Sequence, residues 1–191
     1  YAISSDTRIT SGIEYSMLDY EKTSRFTELD NNYYFAFVGA NWDITGKSGG
    51  SAKIGYGGQN FDSNTRDDNN STLFRVGTYW TPVEYSRFSL DLERDFALDT
   101  NTSSIRSFLN LGWRHTWSSR VATSANFILV DINSDDDTDD STRETLSLEF
   151  IIKLRRWVDL NLIGKKTTND ANLDEYEYEK QWLGLGMTLR L

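Results

Sequence analysis

Apolar and polar residues alternate along most of the chain with a period of two, which predicts β-strands exposed to different surroundings on their two faces. The clearest segment places five apolar residues on one face: Leu146, Leu148, Phe150, Ile152 and Leu154. Polar or charged residues fill most of the positions between them. The same reading predicts ten strands, at about 9–23, 33–44, 51–63, 71–83, 87–99, 105–117, 121–133, 142–155, 158–169 and 180–191.

The connections between these strands alternate between long polar loops and short turns. The long set is Ser24–Asn32, Asn64–Asn70, Thr100–Ser104, Ser134–Ser141 and Asp170–Glu179. The short set is Thr45–Gly50, Glu84–Ser86, Ser118–Arg120 and Arg156–Trp157. Outer-membrane barrels place long loops outside the cell and short turns in the periplasm. We therefore expect both termini to be periplasmic and the long loops to be extracellular.

Strand length points to the same class of protein. Each predicted strand has the roughly 9–11 residues that a tilted strand needs to cross a bilayer, and no run approaches the roughly 20 apolar residues of a membrane helix. The last predicted strand ends in GMTLRL, similar to the closing strand of outer-membrane proteins. The sequence therefore predicts one domain, residues 1–191, that is an all-β, antiparallel, up-and-down transmembrane barrel of the Gram-negative outer membrane.

Composition and charge narrow the function. Hydrophobic residues make up 38% and aromatic residues 14% of the chain, and the mean hydropathy is −0.56, as expected where strands are apolar on one face only. The formal charge of −9 argues against nucleic-acid binding. The absence of cysteine excludes disulfides and thiolate chemistry within the chain. Because the first residue is Tyr1, we expect a mature, trimmed or truncated chain.

The acidity is concentrated at one end of the predicted barrel. The five long loops hold 14 of the 29 acidic residues and two basic residues. Trp residues mark the other end, because four of the six lie at or just before short turns: Trp42, Trp80, Trp117 and Trp157. Trp favours the headgroup level of a membrane, so we expect these four to form a girdle at the periplasmic interface.

Charged residues on the predicted inner faces are candidates for a lumen wall. In strand 87–99 the acids Asp91, Glu93 and Asp95 share a face, and neighbouring strands supply basic residues that can pair with them across the sheet. The full predicted set is Arg75, Asp91, Glu93, Asp95, Arg106, Arg114, Glu149, Lys153 and Arg190. Such a wall either hydrates a polar conduit or fills a narrow barrel electrostatically, and the sequence leaves both open.

Catalytic and metal chemistry have weak support in the sequence. His115 is the only histidine and lies near a short turn, where an interfacial position is favoured over a catalytic one. Asp91, Glu93 and Asp95 supply carboxylates for glycoside hydrolysis, but such spacing is more typical of a solvated strand face. The loop acids Asp135, Asp136, Asp137, Asp139 and Asp140 are a candidate divalent-cation site, although an EF-hand glycine and distal glutamate are missing. We expect no cofactor and no enzyme activity.

Four segments carry a resemblance to a known family: FRVGTYWTPVEYSRFSLDLERDF, GWRHTWSSR, RRWVDLNLIG and YEYEKQWLGLGMTLRL. From about Phe74 to the C-terminus, the chain resembles the outer-membrane porins of exopolysaccharide biosynthesis loci, the "putative β-barrel porin 2" type. In this family a W-x-P strand end and turns after W-S-S-R and R-R-W recur. The resemblance implies export of a biofilm polysaccharide with periplasmic export proteins as partners, and it implies no catalytic residue.

Strand number separates the remaining alternatives. The resemblance implies a longer chain, usually with about sixteen to eighteen strands, so ten strands fit either a shorter relative or the C-terminal part of a larger barrel. A closed ring of ten strands favours a structural barrel without a conducting pore, whose loops contact lipopolysaccharide or partner proteins. Further strands favour a porin for polysaccharide or other polar solutes. An outer-membrane enzyme requires His115 to lie near carboxylates, and a soluble β-sandwich predicts extraction without detergent.

Overall fold

The fold is a single antiparallel sheet in which each strand pairs with the next one along the chain. The computed structural model describes residues 2–4, 6–19, 30–44, 46–61, 68–97, 104–134 and 140–189. Its strands are β1 Ala2–Ser4, β2 Thr7–Leu18, β3 Asn31–Asp43, β4 Ser48–Phe61, β5 Asn69–Val83, β6 Ser86–Phe96, β7 Ser104–Ser118, β8 Val121–Ser134, β9 Ser141–Arg155, β10 Val158–Ala171 and β11 Tyr178–Leu189. A short 3₁₀ helix, Asp174–Tyr176, lies between β10 and β11.

The predicted all-β, up-and-down fold is confirmed, with ten long strands from β2 to β11. The first predicted strand, 9–23, is observed as β2, Thr7–Leu18, and residues 20–23 of that prediction lie outside the described residues. Strand β2 ends at Leu18 because Leu18 is paired with Asn31, the first residue of β3. The short strand β1, which the alternation did not predict, pairs with the start of β2.

The two outermost strands of the sheet, β1 and β11, are its edges. In the part of the chain that the structure describes, β11 pairs with β10 alone, and no pairing joins it to β1 or β2. The described strands therefore form a wall with two edges. No helix among the described residues is long and apolar enough to cross a membrane.

Cross-strand register fixes two chemically different faces. Residues directly opposite each other in neighbouring strands point to the same side, so Leu148, Leu162 and Leu185 share one face. This outer face carries large apolar side chains that stay exposed in the isolated chain, including Ile13 at 77% and Leu185 at 77%. Apolar surface on this scale requires a nonaqueous neighbour. The opposite, inner face carries most of the polar and charged residues of the same strands.

Arg94 is an exception on the outer face, where register places it opposite Phe74 and Ser107. It lies two residues before Phe96, the last residue of β6. A long arginine side chain near a strand end can extend its guanidinium to the headgroup region while its methylenes stay in hydrocarbon.

A small apolar cluster packs against the inner face near the long-loop end. It comprises Phe35, Leu73, Phe96 and Ile105, with Tyr33 and Phe37 against it. Glycines in β4 make this packing possible, because a Cβ at Gly57 would lie 2.7 Å from the Leu73 Cδ1 and a Cβ at Gly55 would overlap the Ala36 carbonyl oxygen. The cluster adds a layer of apolar side chains on strands β3 to β7, and it packs against the charged residues of the inner face.

Candidate functional site on the inner face

A network of four charged side chains crosses the inner face from β2 to β6. The Lys53 Nζ lies 2.8 Å from the Glu14 Oε1, and the Arg75 Nη1 lies 2.8 Å from the Glu14 Oε2. Arg75 also pairs with Asp95 and donates a hydrogen bond of 3.2 Å to the Tyr33 hydroxyl. Glu14 on β2 therefore reaches Arg75 on β5 across the two strands between them, which requires the sheet to curve toward this face.

Aromatic rings lie beneath both cations of this network. The Lys53 Nζ is 4.3 Å from the Phe37 ring centroid, and the Arg75 guanidinium carbon is 5.4 Å from the Phe35 ring centroid. Phe35 itself is fully buried. Ion pairing on one side and ring contacts on the other hold the two cations in fixed positions on the wall.

The acids of β6 contact β7 as well as β5, where Asp95 pairs with Arg75. Glu93 lies 3.8 Å from the Arg106 guanidinium on β7, and Asp91 accepts a hydrogen bond of 3.1 Å from the Asn110 side-chain amide.

Register places eight of the nine predicted lumen residues on the inner face. These are Arg75, Asp91, Glu93, Asp95, Arg106, Arg114, Glu149 and Lys153. Arg190, the ninth, lies outside the described residues. Lys153 is directly opposite Asp159, near the short-turn end. Their role in solute passage stays a prediction.

Several inner-face charges were missed by the sequence prediction. Glu14 and Lys53 belong to the network above, and Arg143, Lys165 and Lys180 lie on β9, β10 and β11. Alternation in β2 could have identified Glu14, because it shares a face with Gly12 and Ser16, opposite the apolar Ile13 and Tyr15.

A cavity of about 840 Å³ lies at the long-loop end of the inner face; we call it the mouth cavity. Its lining includes Glu93, Asp95, Arg106, Arg143, Tyr176 and Tyr178. The 3₁₀ helix contributes Tyr176, whose carbonyl oxygen accepts a hydrogen bond of 2.8 Å from the Asn169 side-chain amide. This bond holds the β10–β11 connection beside the cavity.

A second cavity, of about 480 Å³, lies on the inner face of β9–β11; we call it the wall cavity. It is lined by Arg143, Thr145, Lys165, Thr167, Tyr178, Lys180 and Trp182. Arg143 and Tyr178 line both cavities, so the two adjoin.

Aromatic residues cluster at the short-turn end of the outer face. Trp80 and Trp117 are 56% and 61% exposed, Trp42 is the penultimate residue of β3, and Trp157 lies in the turn between β9 and β10. Trp113, which the prediction omitted, donates a hydrogen bond of 3.1 Å to the Ser86 hydroxyl. Their placement fits an interfacial girdle, which stays a prediction.

His115 belongs to the same aromatic group. Its ring centroid lies 4.2 Å from that of Trp117, 5.6 Å from that of Trp113 and 5.3 Å from that of Tyr85. These described contacts are aromatic, and none is with a carboxylate. A His-based hydrolase pairs its histidine with a carboxylate, and no such pair with His115 occurs among the described residues.

The candidate cation loop is described only at Asp140, because residues 135–139 lie outside the described ranges. Asp140 Oδ1 accepts a hydrogen bond of 2.7 Å from the Ser134 backbone N–H, which ties the loop to the end of β8. In the described part of the chain, no group of three or more His, Cys, Asp or Glu residues is arranged to hold a metal ion.

Comparison with protein families identifies the relatives of this chain. The sequence profile of the family described as "Putative beta-barrel porin 2" matches residues 1–191. The chain belongs to this porin family. The match covers the whole chain and so extends beyond the region from Phe74 onward where the resemblance is strongest. No curated protein sequence matches the chain.

Solved structures similar to this porin-family chain are outer-membrane β-barrel proteins. The FrpB iron transporter from Neisseria meningitidis (F3-3 variant) superposes with a TM-score of 0.65 at 8% identity, over 93% of this chain and 35% of that chain. OmpT of Vibrio cholerae, an outer-membrane protein, gives 0.52 at 9% identity, over 98% of this chain and 62% of that one. Its loop L8 deletion mutant gives 0.53 at 10% identity, over 97% and 76%.

These likenesses, at identities of 10% or less, show the fold. The porin-family chain has an outer-membrane β-barrel fold, and it spans about a third of the length of the FrpB chain that it matches.

Proposed function

We propose that this chain forms part of the wall of an outer-membrane pore through which polar solutes pass. The principal solute that we propose is an exported exopolysaccharide. The observation that carries the proposal is the division of one sheet into an apolar outer face and an inner face lined by ordered charges. The polysaccharide assignment rests on the family resemblance and on the mouth cavity, which combines aromatic rings with charged hydrogen-bonding groups. No catalytic step enters this proposal.

The two sheet edges support a barrel wider than ten strands. Unpaired backbone groups at an edge cannot face hydrocarbon, so a membrane-embedded sheet must have both edges paired. We propose that further strands pair with β1 and β11 and enlarge the lumen, since barrel diameter grows with strand number. The superposition on part of the FrpB chain agrees with such a segment of a larger ring.

The first test is ion conductance through planar bilayers containing the purified protein. We expect discrete conductance steps, and the preference for anions over cations should rise in Glu149→Gln, because Glu149 lies on the inner face and its loss removes a negative charge from the lumen. Glu144→Gln removes the same charge from the outer face of the same strand and should leave the preference unchanged. No conductance in wild type or variants would reject the pore and favour the closed structural barrel.

The orientation proposed is long loops outside the cell and short turns and termini in the periplasm. Because the chain has no cysteine, single cysteines report accessibility without background. Asp174→Cys, in the β10–β11 connection, should react with a membrane-impermeant maleimide on intact cells. Ser119→Cys, in the β7–β8 turn, should react only after the outer membrane is permeabilised. The opposite pattern would reverse the orientation.

Lipopolysaccharide and periplasmic export proteins are the partners that this orientation offers. The acidic long loops would meet lipopolysaccharide through bridging divalent cations, and the turns would meet export proteins in the periplasm.

A further inference from the structure

We propose that the wall cavity is a binding site for anionic sugar residues, such as uronic acids, carried along the inner face. The inference rests on the proposed function, because it names the cargo chemistry of the pore. Three of the lining residues are the cations Arg143, Lys165 and Lys180, and no carboxylate lines the cavity among the described residues. A concave surface with charge of one sign concentrates ligands of the opposite sign.

Strand register explains why these cations converge. Lys165 on β10 is directly opposite Ser147 and Trp182, and Thr167 is directly opposite Thr145 and Lys180. The side chains opposite one another share a face, so both lysines point to the inner side. Lys166, between Lys165 and Thr167, points to the outer side.

Ion pairing distinguishes these cations from Lys53, Arg75 and Lys166. Lys53 and Arg75 are held by carboxylates on the inner face, and Lys166 lies 3.1 Å from Glu179 on the outer face. Among the described residues, neither Lys165 nor Lys180 has a carboxylate within ion-pair distance, and the Arg143 Nε donates to the Asn169 side-chain oxygen at 3.2 Å. The charge of the wall cavity is thus available to an anionic ligand.

The rest of the lining suits a sugar ring. The Thr145 and Thr167 hydroxyls hydrogen-bond each other at 3.2 Å and form a buried polar floor. The Trp182 indole is about half exposed and lies over Gly184, where a Cβ would come within 2.2 Å of the ring. An exposed aromatic face packs against the apolar face of a pyranose, while lysine and arginine bind its carboxylate.

Cavity size and charge favour a charged saccharide over a simple anion. About 480 Å³ falls within the range of small-molecule sites, and the adjoining mouth cavity, at about 840 Å³, can receive the next residues of a chain. The wall cavity is positive in a chain whose formal charge is −9, so its sign is opposite to that of the molecule as a whole.

The test is isothermal titration of the detergent-solubilised full chain with tetragalacturonate and with its methyl ester, which has the same size and no charge. We expect the acid to bind at least about tenfold more tightly than the ester, and more weakly as salt rises. The double variant Lys165→Gln/Lys180→Gln should lose about tenfold or more, whereas Lys166→Gln should bind as wild type does. Equal binding of acid and ester, or equal losses in the double variant and Lys166→Gln, would overturn the site.

Trp182 is tested through the glycine beneath it. Gly184→Ala should displace the indole and weaken tetragalacturonate binding, and Trp182→Leu should do the same if the alanine variant folds poorly. Gly186→Ala is the matched control, because a Cβ there would meet its nearest atom at 3.8 Å. If both glycine variants and Trp182→Leu bind tetragalacturonate like wild type, the proposed role of Trp182 in binding is wrong.

Competition by inorganic phosphate tests sugar recognition separately. Phosphate that competes for the site as well as tetragalacturonate does would reject sugar recognition.

Bilayer recording separates this site from the proposed pore. The double lysine variant should still conduct, but tetragalacturonate should no longer interrupt its current. Binding without any conductance would leave the site standing and reject the pore, while conductance that tetragalacturonate never interrupts in wild type would reject the site as part of the conduit.

Discussion

Leu148→Arg on the outer face should destabilise the membrane-embedded protein by about 2–4 kcal/mol, the cost of an arginine near the middle of a bilayer on a barrel surface. Leu148 lies midway along β9, is 43% exposed, and has outer-face neighbours Ala125 and Gly164. Unfolding from phospholipid vesicles by denaturant measures this loss of free energy.

The matched control places arginine at the same depth on the inner face. Asn126 precedes Phe127 on β8 and follows Ala125, which is directly opposite Leu148. Asn126→Arg should change stability by less than about 1 kcal/mol, because its guanidinium stays in water on the lumen side. Equal losses in the two variants would contradict the assignment of the outer face to lipid.

Arg75→Gln should produce the largest effect among inner-face variants, because it leaves Glu14 and Asp95 without their shared partner. Breaking a fully buried ion pair costs about 3–5 kcal/mol. A third of the Arg75 side chain is exposed, and solvent screening reduces the expected loss to about 1–2 kcal/mol. Cation preference should also rise, since the wall loses one positive charge.

Arg114→Gln separates the two effects of this substitution. It removes the same charge from the inner face at a residue without an ion pair among the described residues, so selectivity should shift while stability stays near wild type. Asp95→Asn combined with Arg75→Gln should cost less than the sum of the single changes. Strict additivity would show that the pair does not interact as described.

The sequence alone predicted most of the strands and both faces. Period-two alternation depends on local chemistry, so strands such as β9, with its five outer-face apolar residues, could be assigned without tertiary information. Strand ends depend on the partner: β2 stops at Leu18 because β3 begins at the residue opposite.

The wall cavity could not be predicted from alternation. Alternation places Lys165 on the polar face of its strand, but it does not say which side chains of other strands lie beside it; pairing with Ser147 and Trp182 decides that. The Glu14–Arg75 contact also lies beyond sequence reasoning, because two residues on nonadjacent strands meet only through the curvature of the sheet.

The most direct test of a two-faced wall is a cysteine scan along β9 from residue 146 to residue 152, one position at a time, in the membrane. Odd-numbered positions should react with a water-soluble maleimide, and even-numbered positions should be protected from it. When a fluorophore is attached to each cysteine before insertion, a quencher on the lipid acyl chains should quench it at the even-numbered positions. The expected result is a repeat of two residues that follows the inner and outer faces. Reactivity without that repeat, or with the two faces exchanged, would contradict the account.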